Sequence, residues 1–154
     1  MQKMQPHLRA YHDLRFVESN PPPNCSLIPS ASGAREIDGL FIGPKGTCYE
    51  AGLFRFHVVL PPDYPESPPT ITCRTKIFHP NINDGSGAVC IDVLNDKGKW
   101  QGKNLFYALT CVIGMLTNPN PDSPLNKDAA SLYLKDNGKF NQIAGEWTRK
   151  YAAS

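Results

Sequence analysis

The order of apolar and polar residues divides the chain into an opening helix, a series of short strands and a helical last third. The opening helix is predicted at residues 5–19, where apolar side chains form a stripe among charged ones. Asn20 and the three prolines after it end this helix. The predicted stripe consists of Leu8, Tyr11, Leu14 and Phe16.

Four β-strands are predicted next, with turns rich in glycine and proline between them. They cover residues 25–29, 36–44, 53–61 and 70–75. In the third strand, apolar residues at even positions from 54 to 60 alternate with Arg55, His57 and Val59, as in a strand with one buried face. His57 is therefore expected to be solvated rather than to act as a ligand. The short connections predict an antiparallel meander.

Both periodic patterns disappear between residues 76 and 102. A long irregular segment in a compact domain is usually functional or disordered. Disorder is disfavoured because many apolar side chains in this segment need burial, so we expect an ordered flap. These side chains are Ile77, Phe78, Ile82, Val89, Ile91, Val93 and Leu94.

Three helices are predicted in the rest of the chain, at 103–118, 124–136 and 139–153. The first is apolar enough to be a central packed helix. The fold class is therefore α+β, with an N-terminal helix, a four-stranded antiparallel meander, an irregular flap and C-terminal helices. Residues 1–154 are expected to form a single domain. The apolar face of the last helix comprises Phe140, Ile143, Trp147 and Tyr151.

Composition restricts the class of protein. With 16 basic and 14 acidic residues the formal charge is only +2, and no basic run is interleaved with aromatic residues, so nucleic acid is not an expected partner. The N-terminus lacks the apolar core of a signal peptide, and no stretch approaches the ~20 apolar residues of a membrane span. We therefore expect a soluble intracellular protein without membrane contact.

Five cysteines are spread along the chain without a Cys-x-x-Cys pair: Cys25, Cys48, Cys73, Cys90 and Cys111. This pattern predicts neither a zinc site nor a dithiol redox motif, and without a secretion signal disulfides are not expected. The default expectation is reduced thiols buried as small apolar side chains.

Cys90 differs from the other cysteines by its surroundings, the run HPNINDGSGAVCIDVL at residues 79–94. A thiolate is a strong nucleophile whose thioester an amine attacks readily, and it needs an accessible sulfur on an irregular backbone. Gly85 and Gly87 permit such a backbone. Asn81 could donate an amide hydrogen bond to an oxyanion, and Asp92 could help to position a neutral lysine.

Each of these residues also has a structural interpretation. Asn81 resembles an ordinary turn residue, Asp92 could cap the next turn, and His79 could be a hydrogen-bonded core imidazole. A cysteine hydrolase with Cys90 as nucleophile, His79 as base and Asn81 as orienter is a further alternative. The adjacency of His79 and Asn81 disfavours it, because an orienting residue should approach the imidazole from its far side.

Several ordered motifs make the chain similar to ubiquitin-conjugating enzymes, which take ubiquitin from an activating enzyme and deliver it to a substrate lysine. HPNIN…GAVCIDVL resembles the active-site signature of that family, and LPPDYPESPPTITCRTKIFHPNI (60–82) resembles the proline-rich turn before it. GTCYEAGLFRF (46–56) and NPNPDSPLNKDAA (118–130) are similar to its second hairpin and to the far wall of its groove. The resemblance covers nearly the whole chain and agrees with the predicted order of elements.

The resemblance implies that Cys90 is the nucleophile that forms the thioester. Asn81 then stabilises either the oxyanion or the loop beside it, and Asp92 lies at an acidic gate. No metal and no cofactor are implied, because ATP is used only by the upstream activating enzyme.

Four further residues would support this site. His79 and Pro80 would mainly brace the loop. Ser123, with Asp122 just before it, stands at a second gate position that is often Asp in the family. Phosphorylation of Ser123 could supply the missing negative charge.

The implied partners are ubiquitin or a ubiquitin-like protein, an activating enzyme, a ligase of RING type and a substrate lysine. A monomer in the cytoplasm, the nucleus or both is expected. The first helix carries Lys3, Arg9 and Arg15, the kind of basic face that the activating enzyme binds, although a merely solvated face is an alternative.

Ligases in the family usually dock on two loops and the first helix. The first loop often presents a bulky apolar residue where this chain has Glu66 and Ser67, and the second often has Ser-Pro where it has Gln101 and Gly102. Since buried anchors carry most interface energy, we expect a restricted choice of ligase.

Two questions have more than one answer: which modifier the protein carries, and whether the protein is catalytic. LNDKGKW adds residues before Trp100, as in a longer-loop branch of ubiquitin carriers, while NPNPDSPLNKDAA is also similar to carriers of ubiquitin-like modifiers. A non-catalytic ubiquitin-binding module of the same fold is the other alternative. The inactive variants of the family lack the cysteine, whereas here Cys90, Asn81 and Asp92 occur together.

Overall fold

A computed structural model of the protein describes residues 5–31 and 33–153. The elements follow the predicted order of one helix, four strands and further helices. The first part comprises α1 (Pro6–Ser19), β1 (Cys25–Pro29), β2 (Glu36–Ile42), β3 (Leu53–Val59) and β4 (Thr70–Cys73). The second comprises α2 (Asp92–Asn95), α3 (Lys97–Trp100), α4 (Leu105–Thr117), α5 (Lys127–Lys135) and α6 (Asn137–Tyr151).

The four strands form one antiparallel sheet in the order β1-β2-β3-β4, which confirms the predicted meander. The register places Ile37 opposite Val58 and Phe41 opposite Phe54, so the apolar sets of β2 and β3 share one face. Phe41 also packs edge-on against Phe56, with ring centroids 4.4 Å apart. This face of the sheet is therefore buried in the core.

Helix α4 provides the other side of the core, as the prediction of a central packed helix required. Its N-terminus is capped by Asn104, whose Oδ1 accepts a hydrogen bond from the Tyr107 amide at 2.8 Å. Its buried side chains belong to the same hydrophobic cluster as the inner face of the sheet. They are Leu105, Ala108, Leu109, Val112, Met115 and Leu116.

Helix α1 is present as predicted, but it buries a different stripe. The buried residues are Ala10, Leu14 and Val17, whereas Leu8, Tyr11 and Phe16 are 50%, 59% and 46% exposed. The buried set has the spacing of one helix face. The prediction was correct for Leu14 and wrong for the other three residues, because it selected the larger apolar side chains and passed over Ala10.

His57 was predicted to be solvated, and this prediction is wrong. Its side chain projects from the outer face of the sheet, yet the residue is only 8% exposed. Nδ1 lies 2.8 Å from Asp38 Oδ1 and Nε2 lies 3.3 Å from Glu36 Oε1. Asp38 is the direct cross-strand neighbour of His57, so the two carboxylates on β2 cover the imidazole.

The flap between β4 and α4 is ordered, and its apolar side chains are buried or packed against the core, as expected. It is less irregular than predicted, because α2 and α3 form single helical turns inside it. Elements of four residues are too short to show a helical period.

The last two helices begin at side-chain caps. Asn126 accepts from the Ala129 amide at 3.0 Å, and Asp136 accepts from the Lys139 amide at 3.1 Å. The amide of Leu53 donates to the carbonyl of Ala152 at 2.8 Å, which ties the end of α6 to β3. None of the helices in the described ranges is long and apolar enough to cross a membrane.

Candidate active site

Cys90 lies in the middle of the flap, two residues before α2. Its amide donates to the backbone carbonyl of Asn81 at 2.9 Å, so the two ends of the run 81–90 lie side by side. The turn between them is closed by Asn83, whose Oδ1 accepts from the amides of Gly85 and Ser86. The structure thus brings the backbones of Asn81 and Cys90 together.

Gly87 allows the flap to return to the sheet. Its φ is +77°, and a Cβ at this position would lie 1.9 Å from the carbonyl oxygen of Cys73. The Gly87 carbonyl in turn accepts from the Cys73 amide at 2.8 Å. Glycine is required here, because a side chain would meet both a steric clash and an unfavourable backbone conformation. Gly85, the other glycine singled out by sequence, does not have a positive φ.

Cys90 is half-buried, and its sulfur is contacted by a residue that sequence analysis missed. Nδ2 of Asn95 lies 3.1 Å from Cys90 Sγ and 3.0 Å from the carbonyl oxygen of Ile91. Asn95 is the last residue of α2, so the single helical turn brings its amide back toward the cysteine. No motif signals this contact, which depends on a four-residue helix.

Of the other four cysteines, Cys73 is buried as expected, whereas Cys25, Cys48 and Cys111 are half-buried. Burial raises the pKa of the Cys25 and Cys73 thiols to about 12, and it also raises the pKa of Cys48 and Cys111. Such thiols are weak nucleophiles near neutral pH. Within residues 5–31 and 33–153, no three or more His, Cys, Asp or Glu side chains are grouped so that they could hold a metal ion.

Asn81 is buried, and its side-chain amide is clamped to a single residue across the groove. Nδ2 donates to the carbonyl of Asn120 at 2.7 Å, and Oδ1 accepts from the amide of Asn120 at 2.8 Å. These two bonds orient the amide and tie the flap to the segment before α5. Two roles were left open for Asn81, and these contacts support the one in which Asn81 braces the loop.

His79 is fully buried between the flap and α4. Its Nδ1 accepts from the Asn81 amide at 2.9 Å, so Nε2 carries the proton and donates to the Met115 carbonyl at 2.9 Å. Burial lowers the pKa of His79 to about 4, so the ring is neutral at pH 7. An imidazole with both nitrogens engaged is not placed to act as a base for Cys90, which supports the bracing role and disfavours the hydrolase alternative.

Pro80 braces the same region through its backbone. Its carbonyl accepts from the amides of Leu125 and Asn126 at 2.9 and 3.1 Å. The segment that contains the exposed residues Asp122 and Ser123 is thereby held against the flap. The structure thus places the predicted second gate position on a loop that is hydrogen-bonded directly to Pro80.

Asp92 is exposed at the first residue of α2, and it already has a cationic partner. Nζ of Lys99 lies 3.0 Å from Asp92 Oδ2. The hydrogen bond and the charge of Asp92 raise the pKa of Lys99. Lys99 lies in the LNDKGKW segment, and sequence analysis did not predict this pair.

The two loops expected to meet a ligase are joined to each other and to α1. Trp100 is buried, and its Nε1 donates to the carbonyl of Pro65 at 2.6 Å. The hydroxyl of Tyr64 donates to Asp13 on α1 and accepts from the Leu105 amide at 2.8 Å. The three parts therefore form one connected surface.

The predicted contact residues on these loops differ in exposure. Glu66, Gln101 and Gly102 are exposed, while Ser67 is half-buried and donates its hydroxyl to Asp63 at 2.7 Å. Gln101 and Gly102 both have positive φ, 49° and 62°, and form a tight turn after α3. No bulky apolar side chain stands at these four positions.

The basic face predicted on α1 is partly neutralised by acidic side chains of the same helix. Arg9 pairs with Asp13 at 2.9 Å, and Arg15 pairs with Glu18 at 3.0 Å. Arg9 thus belongs to the network around Tyr64, while the side chain of Arg15 is 56% exposed. The third predicted residue, Lys3, lies outside the described residues.

Comparison with known proteins agrees with this geometry. A family model described as ubiquitin-conjugating enzyme matches residues 9–148. The fold is also similar to the crystal structure of a protein from Plasmodium yoelii that is provisionally described as a ubiquitin conjugating enzyme. The two chains are 34% identical, with a TM-score of 0.87 over 100% of this chain and 99% of the other. Since the family model spans most of the sequence and the fold agrees with it, the chain belongs to the ubiquitin-conjugating enzyme family.

Proposed function

We propose that Cys90 accepts ubiquitin from an activating enzyme as a thioester and passes it to a substrate lysine. Membership of the family supports the transferase class. The observation that carries the assignment of Cys90 is the flap, which holds this cysteine on an irregular backbone against Asn81 with its sulfur in contact with an amide donor. A ubiquitin-like protein is the second candidate for the modifier, because NPNPDSPLNKDAA is similar to both kinds of carrier.

Asn81 is assigned to the carbonyl of the thioester. When a lysine nitrogen attacks that carbonyl, negative charge develops on its oxygen, and a prearranged donor stabilises it without reorganisation. The clamp on Asn120 uses one hydrogen of the Asn81 amide and orients the other. Asn81 is therefore proposed both to brace the flap and to offer an amide hydrogen to the oxyanion.

Asp92 is assigned to the incoming lysine. Its exposed carboxylate can attract the substrate lysine as an ammonium group and, once the proton has passed to solvent, hold the neutral amine near Cys90, two residues away. In the structure the carboxylate of Asp92 is paired with Lys99, so a substrate lysine must displace Lys99. Displacement is easy, because ion pairs between exposed side chains contribute little. Asp122 and Ser123 are proposed to flank the lysine from the facing loop, with phosphorylation of Ser123 as a source of added negative charge.

The proposed protein partners meet the connected surface described above. A RING ligase would contact the loops that carry Glu66 and Gln101, and the activating enzyme would contact α1 through the exposed Arg15. Because the loops offer charged and polar side chains instead of an apolar anchor, only a ligase with a matching polar surface should stimulate transfer. Strong stimulation by several unrelated RING ligases would contradict this restriction.

A charging assay tests the central proposal. The protein is incubated with ATP, ubiquitin and its activating enzyme, and in parallel with ubiquitin-like proteins and theirs, and adducts are resolved on non-reducing gels. Wild type should form an adduct that thiols reverse, Cys90→Ala should form none, and Cys90→Ser should form an ester that resists thiols. Cys111→Ala is the matched control and should charge like wild type. The absence of any adduct from folded wild type would favour the non-catalytic binding module.

A further inference from the structure

The amide of Asn95 is the side-chain donor that contacts the Cys90 sulfur. The distance from Nδ2 to Sγ is 3.1 Å, within the range of a hydrogen bond to sulfur. A neutral thiol is a weak acceptor, whereas a thiolate is a strong one, because hydrogen bonds to ionised groups are shorter and stronger than neutral ones. The contact therefore gains strength when the sulfur becomes negative.

A second contact determines which side of the amide faces the sulfur. Nδ2 also lies 3.0 Å from the carbonyl oxygen of Ile91, which can only accept a hydrogen bond. A flipped amide would turn its oxygen toward this carbonyl oxygen, which is repulsive. The NH2 group must therefore face both acceptors, with one hydrogen anchored on Ile91 and the other directed at Cys90.

The charged groups nearby do not replace this donor. Asp92 is two residues from Cys90 and would disfavour a thiolate, and its negative charge is offset by Lys99 at 3.0 Å. This ion pair is exposed to solvent. The group in direct contact with the sulfur is the neutral amide of Asn95.

We propose that Asn95 is a catalytic residue that stabilises the Cys90 thiolate, both as the attacking nucleophile and as the leaving group. This inference rests on the proposed function. During charging, the Cys90 thiolate attacks the thioester on the activating enzyme, a new C–S bond forms, and the cysteine of the activating enzyme leaves as a thiolate. During delivery, the lysine nitrogen forms a C–N bond, the C–S bond breaks with its electron pair on Sγ, and the proton of the nitrogen passes to solvent.

The same donor favours both steps because the sulfur is negative at the start of the first and at the end of the second. In the thioester between them the sulfur carries no charge and accepts hydrogen bonds poorly. Asn95 therefore stabilises the transition state of delivery more than it stabilises the thioester with ubiquitin. This difference is the condition for an increase in rate.

The first test measures the thiol without any partner protein. The intact protein is alkylated with iodoacetamide, and mass spectrometry of the peptide that contains Cys90 gives the rate. The quantity compared is the ratio of the rate at pH 7 to the plateau rate at high pH. Asn95→Ala should lower this ratio about three- to tenfold, and Asn95→Asp should lower it further, because it replaces the donor with a negative acceptor of the same shape. Asn20→Ala is the matched control, since Asn20 Nδ2 makes the same kind of bond to the carbonyl of Phe16 at 3.1 Å.

The second test measures delivery. Charged wild type and variants are mixed with free lysine in single-turnover reactions, and Asn95→Ala should lose rate by a factor similar to that seen in alkylation. Equal alkylation ratios and equal discharge rates in wild type, Asn95→Ala and Asn95→Asp would overturn the inference. A lower plateau rate of alkylation with an unchanged ratio would also overturn it, because it would mean that Asn95 controls access to the sulfur. If wild type forms no adduct with any modifier, the proposed function fails, while the alkylation ratio still tests the contact between amide and thiolate.

Discussion

The buried imidazole of His79 should make folding stability depend on pH. In the native state Nδ1 accepts a hydrogen bond from the Asn81 amide. Protonation would place a proton on Nδ1 facing that N–H group and would leave a positive charge in the core. For this reason burial lowers the pKa of His79 from 6.5 to about 4.

The size and sign of the effect follow from these two pKa values. Between pH 6.5 and about 4, the unfolded chain binds a proton at His79 that the native protein does not bind. The contribution to the free energy of unfolding is therefore complete above pH 6.5 and decreases as the pH falls, by about 1.4 kcal/mol per pH unit. On going from pH 7 to pH 5, we expect His79 to account for a loss of roughly 2 kcal/mol.

Urea unfolding followed by tryptophan fluorescence at pH 7, 6 and 5 measures this loss. Other groups also titrate in this range, so the informative quantity is the difference between wild type and His79→Gln. His79→Gln should be less stable at pH 7, and its deficit should shrink by roughly 2 kcal/mol at pH 5. The exposed His7 provides the control, because His7→Gln should follow wild type at every pH. Parallel curves for wild type and His79→Gln would refute the reasoning.

Three further changes test other contacts. Gly87→Ala would place its Cβ 1.9 Å from the Cys73 carbonyl oxygen, so urea unfolding should show a loss of roughly 3 kcal/mol, and unchanged stability would contradict the geometry of the flap. Lys99→Ala should free Asp92 and raise discharge to free lysine by at most about fivefold at low salt, whereas a slower discharge would mean that Lys99 assists the reaction. Trp100→Phe should cost about 1–2 kcal/mol through the lost indole hydrogen bond and should reduce stimulation by a ligase while charging continues. Normal stimulation of Trp100→Phe by the ligase would mean that the link between the two loops is not needed for the action of the ligase.

The sheet and the central helix could be predicted from sequence because each has a strong local signal. The third strand alternates between apolar and polar residues from Phe54 to Val58, and α4 is apolar through several turns. The proximity of Asn81 to Cys90 was proposed from the bend that Gly85 and Gly87 permit and from the resemblance of the motif to a known family. Such features depend on residues that are close in the chain.

The missed features depend on contacts between residues that are far apart or on helices that are too short to have a period. His57 is buried because β2 places Asp38 opposite it, which a single strand does not reveal. The partner of the Asn81 side chain is Asn120, 39 residues away. Asn95 reaches Cys90 only because α2 forms a four-residue helical turn. Each of these cases joins polar groups, for which the hydrophobic pattern carries no signal.

The residue types in the active-site motif follow from the need to order an irregular flap with neutral groups. A neutral imidazole both donates and accepts, so His79 can link the Asn81 amide to the Met115 carbonyl of α4. A carboxamide has the same double capacity, which lets Asn81 bind both backbone groups of Asn120. A buried lysine or carboxylate could only donate or only accept and would carry an uncompensated charge. His79 is therefore assigned to bracing alone and Asn95 to the thiolate of Cys90, so His79→Gln should mainly lower stability and Asn95→Asp should mainly lower thiolate reactivity.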